Sequence, residues 1–191
     1  MLQQPGAVHG RQRLLTAHGL HLVLTLPTTV THPAILGSRA LAWADEAACT
    51  QFAQHLAAQA GITQACIELH GPLGAGKTTL VRHLLRALGV PGRIKSPTYT
   101  VMEPYSLPGG SAVAHFDFYR FADPREWEDA GFRDVFGQPG LKIAEWPELA
   151  AGLLPVPDLR LAITPLDGDQ RQVSLSAHTP LGLQLLAGLP G

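Results

Sequence analysis

From Asp45 onward the apolar positions fall at helical spacing: Ala48, Phe52 and Leu56 recur every four residues, Asp45 and Glu46 open the stretch, and Gly61 follows its end. That pattern stacks one apolar face and predicts a helix over 45–58. The run Ala65-Cys66-Ile67-Glu68-Leu69-His70 is short, β-compatible and closed by glycine, so it predicts a strand. Residues 78–88 return to helical periodicity until Gly89 and Pro91 stop it. Two more strands are predicted at 111–116 and 141–144, each followed at once by an acidic residue. A last pair, 159–164 and 172–176, flanks the turn signal Asp167-Gly168-Asp169 and predicts an antiparallel hairpin. Strands separated by helical stretches give an α/β fold: a mostly parallel central sheet flanked by helices, with a C-terminal hairpin.

Composition fits one such domain. Of 191 residues 46% are hydrophobic and 15% charged, enough apolar material for a core and too little charge for a disordered polyelectrolyte. The first 44 residues contain no Asp or Glu, yet carry Arg11, Arg13, Arg39 and four of the nine histidines. That is the charge profile of a transit peptide, but Ser is scarce and Pro5, Pro27 and Pro33 interrupt it. The expected organisation is therefore a flexible extension over 1–39, the domain over 40–179, and a tail over 180–191. No apolar run approaches the roughly 18–20 residues needed to cross a bilayer, so no membrane partner is expected. A net charge of -1 provides no general field for nucleic acid, so any RNA contact would be local or made through a partner. Cys49 and Cys66 form no C-x-x-C pair and the histidines no H-E-x-x-H, which leaves a reducing, cytoplasmic setting as the default and disfavours zinc chemistry.

The stretch Gly71-Pro72-Leu73-Gly74-Ala75-Gly76-Lys77-Thr78 fits G-x-x-x-x-G-K-[ST] between a predicted strand and a predicted helix. Gly71, Gly74 and Gly76 permit backbone turns that aim successive N–H groups, including that of Ala75, at a phosphate. Lys77 supplies a positive charge to the β- and γ-phosphates. Thr78 offers a hydroxyl to Mg²⁺ beside the positive end of the helix, and Thr79 is placed for the α-phosphate. Alone, the loop specifies a nucleoside triphosphate with magnesium and leaves base and acceptor open.

In an open parallel sheet, ligands bind beyond the carboxyl ends of the strands, which is where Asp117 and Glu145 fall. Either acid could hold Mg²⁺ or orient an attacking water; the alternative is a pair of solvated strand-end acids. Thr98 and Ser96, in Lys95-Ser96-Pro97-Thr98-Tyr99-Thr100, stand where nucleotide switches place a γ-phosphate-sensing loop, although that stretch by itself also reads as a Ser-Pro turn.

Taken together, the phosphate loop, the Lys95–Thr100 stretch, His115-Phe116-Asp117-Phe118-Tyr119-Arg120 and Glu145-Trp146-Pro147 resemble the TsaE family, from about Ala42 to about Ala177. The stretches Ala122–Glu128 and Gly131–Asp134 resemble the family's sequence after its H-F-D-x-Y-R motif. The resemblance implies a P-loop ATPase of bacterial tRNA threonylcarbamoyladenosine biosynthesis, with ATP and Mg²⁺ as cofactors. It implies that Lys77 binds phosphate, that Thr78 and Glu145 ligate Mg²⁺, and that Asp117 is a second acid needed for turnover. Thr98 would lie in a switch-like loop, Tyr119, Arg120 and Trp146 on a surface facing nucleotide or partner, and Glu46 and Arg171 where the family contacts the nucleotide. It further implies slow hydrolysis that resets a complex with the TsaB and TsaD families, which modify adenosine 37 of tRNAs reading codons that begin with A; tRNA would be reached indirectly.

Three other readings share the loop. A small-molecule kinase needs a basic lid, and no Arg-rich lid stretch is present. A GTPase needs an Asn-Lys-x-Asp element, which is absent from the chain. A sensor that binds nucleotide without turning it over differs from the favoured reading only in turnover.

Overall fold

The computed structural model describes residues 33–190. In chain order the elements are β1 (Gly37–Trp43), α1 (Glu46–Ala57), β2 (Cys66–His70), α2 (Lys77–Ala87), β3 (Met102–Ser106), β4 (Ala112–Asp117), α3 (Pro124–Asp129), α4 (Phe132–Gly137), β5 (Leu141–Glu145), β6 (Leu159–Pro165), β7 (Arg171–Ala177) and α5 (Pro180–Ala187). The strands form one sheet in the order β1-β7-β6-β2-β5-β4-β3. Its centre, β6-β2-β5-β4, is parallel, and both flanks are antiparallel. The expected α/β architecture is thus the observed one, with β6 and β7 as the C-terminal hairpin.

Alternation along the strands sorts side chains into two cores. On one face Ile67, Leu69, Leu161 and Val173 pack with Phe52 and Leu56 of α1, Val81 and Leu84 of α2 and Leu185 of α5. The other core is aromatic: Phe116 and Phe118 of the β4 end meet Trp127 and Phe132 of α3 and α4, with Phe116 and Phe132 edge to face at 5.3 Å. Asp45 caps α1 by accepting from the Ala48 N–H at 2.8 Å, as the acid at that position leads one to expect.

Two expected boundaries need correction. The domain does not start at Ala40: β1 begins at Gly37, and Gly37 to Trp43 pair in register with Ala177 to Arg171. Residues 180–187 are not tail but α5, whose Thr179 hydroxyl caps the helix and whose Leu185 and Leu186 are buried. Most of the expected extension, residues 1–32, lies outside the described residues.

Candidate functional site

The Gly71–Thr78 loop joins β2 to α2 at the middle of the sheet. Gly71 has φ +138°, and a Cβ there would come 2.3 Å from the Ile163 carbonyl oxygen, so glycine is what lets the loop lie this close to β6. Gly76, at φ 105°, precedes α2 without a side-chain cap, leaving the first N–H groups of the helix available to an anion. Lys77 Nζ donates to the carbonyl oxygens of Gly71 at 2.6 Å and Pro72 at 3.0 Å, and stands 3.8 Å from the centroid of the Trp146 ring. Burial pushes the Lys77 ammonium below its ordinary pKa, with Glu145, Glu148 and Asp117 pulling in the opposite direction.

The two acids face each other across neighbouring strands. β4 and β5 pair in parallel with Asp117 opposite Glu145, and both carboxylates are buried, at 3% and 1% exposure. Glu145 Oε2 accepts from the Thr78 hydroxyl at 2.9 Å, while Glu145 Oε1 lies 2.8 Å from His115 Nε2. Asp117 Oδ2 accepts from the Thr98 hydroxyl at 2.7 Å, and Oδ1 from the Tyr119 N–H at 3.0 Å. Thr98 is in turn 2.9 Å from the Ser96 hydroxyl. The loop is pinned at its far end, where the Val101 N–H donates to the Pro97 carbonyl at 2.7 Å and the Val101 carbonyl accepts from the Asp117 N–H at 3.0 Å. Val101 and Trp146 adopt left-handed backbone, φ 62° and 56°, which costs a residue with a Cβ on the order of 1–3 kcal/mol. Both strained residues border the acids they help to place.

One cleft of about 490 Å³ is lined by Gly74, Ala75, Gly76, Lys77, Thr78, Thr79, Thr98, Asp117, Glu145 and Trp146, together with Tyr119 and Arg120. Gly71 lies beneath it, under the Lys77 ammonium. Glu46 and Arg171 do not join this group. They line an adjoining cleft of about 430 Å³ with Trp43, Asp45 and Asp169, and the two clefts share Ala75 and Gly76 as their common wall. Arg171 Nε donates to the Ala75 carbonyl at 3.1 Å, and Glu46 Oε1 is 2.9 Å from His83 Nε2. Sequence reasoning assigned no role to His115, whose partner Glu145 lies on the neighbouring strand. It also missed Val101.

Among the described residues no three His, Cys, Asp or Glu side chains cluster closely enough to cage a metal. What the cleft offers is a hydroxyl and a carboxylate, Thr78 and Glu145, hydrogen-bonded to each other beside the phosphate loop. Two hard oxygens suit Mg²⁺, which keeps several waters and takes its remaining ligands from phosphates. Asp117 stands one strand away with both oxygens engaged by Thr98 and Tyr119.

Known proteins resemble this chain in sequence and fold. Residues 43–173 match the model of a family described as threonylcarbamoyl adenosine biosynthesis protein TsaE. A tRNA threonylcarbamoyladenosine biosynthesis protein TsaE from Haemophilus influenzae is 44% identical over 121 residues, covering 63% of this chain and 75% of the relative. Its Bacillus subtilis counterpart is 34% identical over 111 residues, covering 58% of this chain and 68% of that protein. The crystal structure of Bacillus subtilis YdiB superimposes with a TM-score of 0.65 at 25% identity, over 79% of this chain and 93% of that one. No helix among the described residues is long and apolar enough to cross a membrane. With the family model spanning the phosphate loop, both strand-end acids and the first strand of the hairpin, the chain belongs to the TsaE family of tRNA threonylcarbamoyladenosine biosynthesis.

Proposed function

We propose that the protein binds Mg-ATP, hydrolyses it slowly, and uses the nucleotide state to gate partners of the TsaB and TsaD families as they modify adenosine 37 of tRNA in the cytoplasm. The observation that carries this reading is the single cleft joining the Gly71–Thr78 loop to the Thr78–Glu145 pair. Lys77 and the free N–H groups of α2 hold the β- and γ-phosphates, and Thr79 holds the α-phosphate. Thr78 and Glu145 would hold Mg²⁺, which when bound neutralises the charge that develops on the phosphates. Asp117, tied to Thr98, links the γ-phosphate position to the Ser96–Val101 loop, which is how turnover would alter a partner-facing surface. The nucleoside reaches over the Ala75–Gly76 wall toward Glu46 and Arg171. Trp146 and Tyr119, 5.0 Å apart between ring centroids, form the aromatic rim on the opposite side.

Steady-state phosphate release by the full chain tests the proposal, with Mg-GTP as the control. Turnover well below the roughly 1–100 s⁻¹ of kinases and a preference for ATP support it. Lys77→Ala should abolish triphosphate binding, and Glu145→Ala should remove the magnesium-dependent part of turnover. Rapid hydrolysis, a preference for GTP, or unchanged turnover in a folded Glu145→Ala protein would overturn the assignment.

A further inference from the structure

A cleft of about 610 Å³, larger than either nucleotide cleft, opens on the outer side of α2 and is lined by Arg82, Arg86, Arg93, Ile94, Lys95 and Ser96. Four of its six lining residues are cations. Arg82 and Arg86 stand one turn apart on α2, which brings their Cβ atoms to about 6 Å. Arg93 and Lys95 come from the loop that follows. Between Glu68 and Glu103 the chain has no Asp or Glu, so the segment that builds the groove contributes no charge of its own to cancel them. Among the described residues none of the four cations is in an ion pair. Arg86, Arg93 and Lys95 are exposed. The net charge of -1 therefore conceals a concentrated positive surface.

The groove's chemistry selects its occupant. A protein partner is anchored by exposed aromatic or aliphatic side chains, with charge depleted at the centre of the contact. Here the one large apolar residue, Ile94, is buried, and none of the large exposed hydrophobics of the described residues lines the groove. Guanidinium forks without an apolar anchor match a row of phosphates, each of which can take a bidentate pair of hydrogen bonds. We propose that this groove binds the sugar–phosphate backbone of RNA, so that the protein touches tRNA directly as well as through its partners. The proposal rests on the tRNA-modification reading above for the identity of the RNA. The groove also borders the nucleotide site: its Ser96 hydroxyl is 2.9 Å from Thr98, which donates to Asp117 at 2.7 Å.

Fluorescence anisotropy of labelled tRNA with the full chain, titrated between 50 and 200 mM salt, tests the proposal. Arg86→Gln/Arg93→Gln should weaken tRNA binding about tenfold or more and make the slope of log affinity against log salt shallower by about 1.5, the share of two phosphate contacts. Mg-ATP turnover and the melting temperature of that variant should match the unaltered protein. Arg133→Gln, an exposed cation away from the groove, serves as the control and should leave affinity and slope unchanged. An unchanged slope in the double variant, an equal loss in the control, or capture of inorganic triphosphate at the groove without tRNA binding would each overturn the proposal. So would a protein that turns over Mg-ATP yet does not bind tRNA at 50 mM salt, a result that leaves the ATPase reading standing.

Discussion

His115 Nε2 lies 2.8 Å from Glu145 Oε1 on the neighbouring strand, with both side chains buried, while the other oxygen of that carboxylate is held by the Thr78 hydroxyl. Both oxygens of the carboxylate are thus engaged, which orients it toward the phosphate loop. His115→Ala leaves Oε1 buried without that donor, a loss of about 1–3 kcal/mol in unfolding free energy. It also frees Glu145 to turn away from Thr78. A magnesium titration of nucleotide turnover should show the half-saturating concentration rising, whereas the affinity for metal-free ATP stays as it was. Equal losses in both affinities would mean that His115 acts only through the stability of the core.

The contact of Lys77 with the Trp146 ring gives the site an optical reporter. Trp127 is buried in the aromatic core and Trp43, although it lines the adjoining cleft, is only 3% exposed, so Trp146 is the indole in contact with the phosphate-loop lysine. A triphosphate competes for the Lys77 ammonium and draws it off the ring, breaking a cation–π contact of about 1 kcal/mol. Intrinsic fluorescence should change on addition of Mg-ATP, and the change should vanish in Trp146→Phe. Persistence of the signal in that variant would move its origin to another tryptophan.

The parts of this site that were legible in the sequence are those whose chemistry is local. Phosphate binding demands glycines, a lysine and a hydroxyl within one short stretch, and Gly71–Thr79 carries them at fixed spacing. Asp117 and Glu145 were legible as acids ending apolar strands, and the topology places them side by side. His115 was not, because its role depends on β4 lying beside β5, a pairing that residues on one strand do not encode. β1 was missed because its outward residues, Ser38, Ala40 and Ala42, are small and give weak alternation. β3 was missed because Pro104 interrupts it, which an edge strand tolerates. α5 was missed because Pro180-Leu181-Gly182-Leu183 shows no polar face.

Neither cysteine should behave as a reactive thiol. Burial, reinforced by Glu46, pushes Cys49 up to about 12, and burial with Glu68 and Asp158 does the same to Cys66, from an ordinary value of 9.0 in each case. At pH 8 that lowers the thiolate fraction about a thousandfold. An aromatic disulfide reagent should therefore label both cysteines promptly in denaturant and neither on the same timescale in the folded protein. Rapid labelling of one native thiol would show that its segment opens locally.

Glu68 contributes to the acid limb of stability. Burial raises its pKa, but the hydrogen bond from His70 and the charge and hydrogen bond of Arg160 outweigh burial and hold it below its ordinary value of 4.5. Both partners bind the same oxygen, His70 at 3.2 Å and Arg160 at 3.0 Å. A carboxylate with a depressed folded-state pKa contributes stability that is fully present above its unfolded value and is lost as pH falls through the folded value. The loss therefore begins near pH 4.5 and continues below it. Glu68→Gln removes the charge that neutralises half-buried Arg160, so it should destabilise by about 2 kcal/mol at pH 7. The same variant should lose less than the unaltered protein between pH 5 and the acid transition, because it no longer carries the proton-linked term. Urea denaturation at pH 7, 5 and 4 reads both quantities, and parallel declines for the two proteins would show that Glu68 is not the group that titrates.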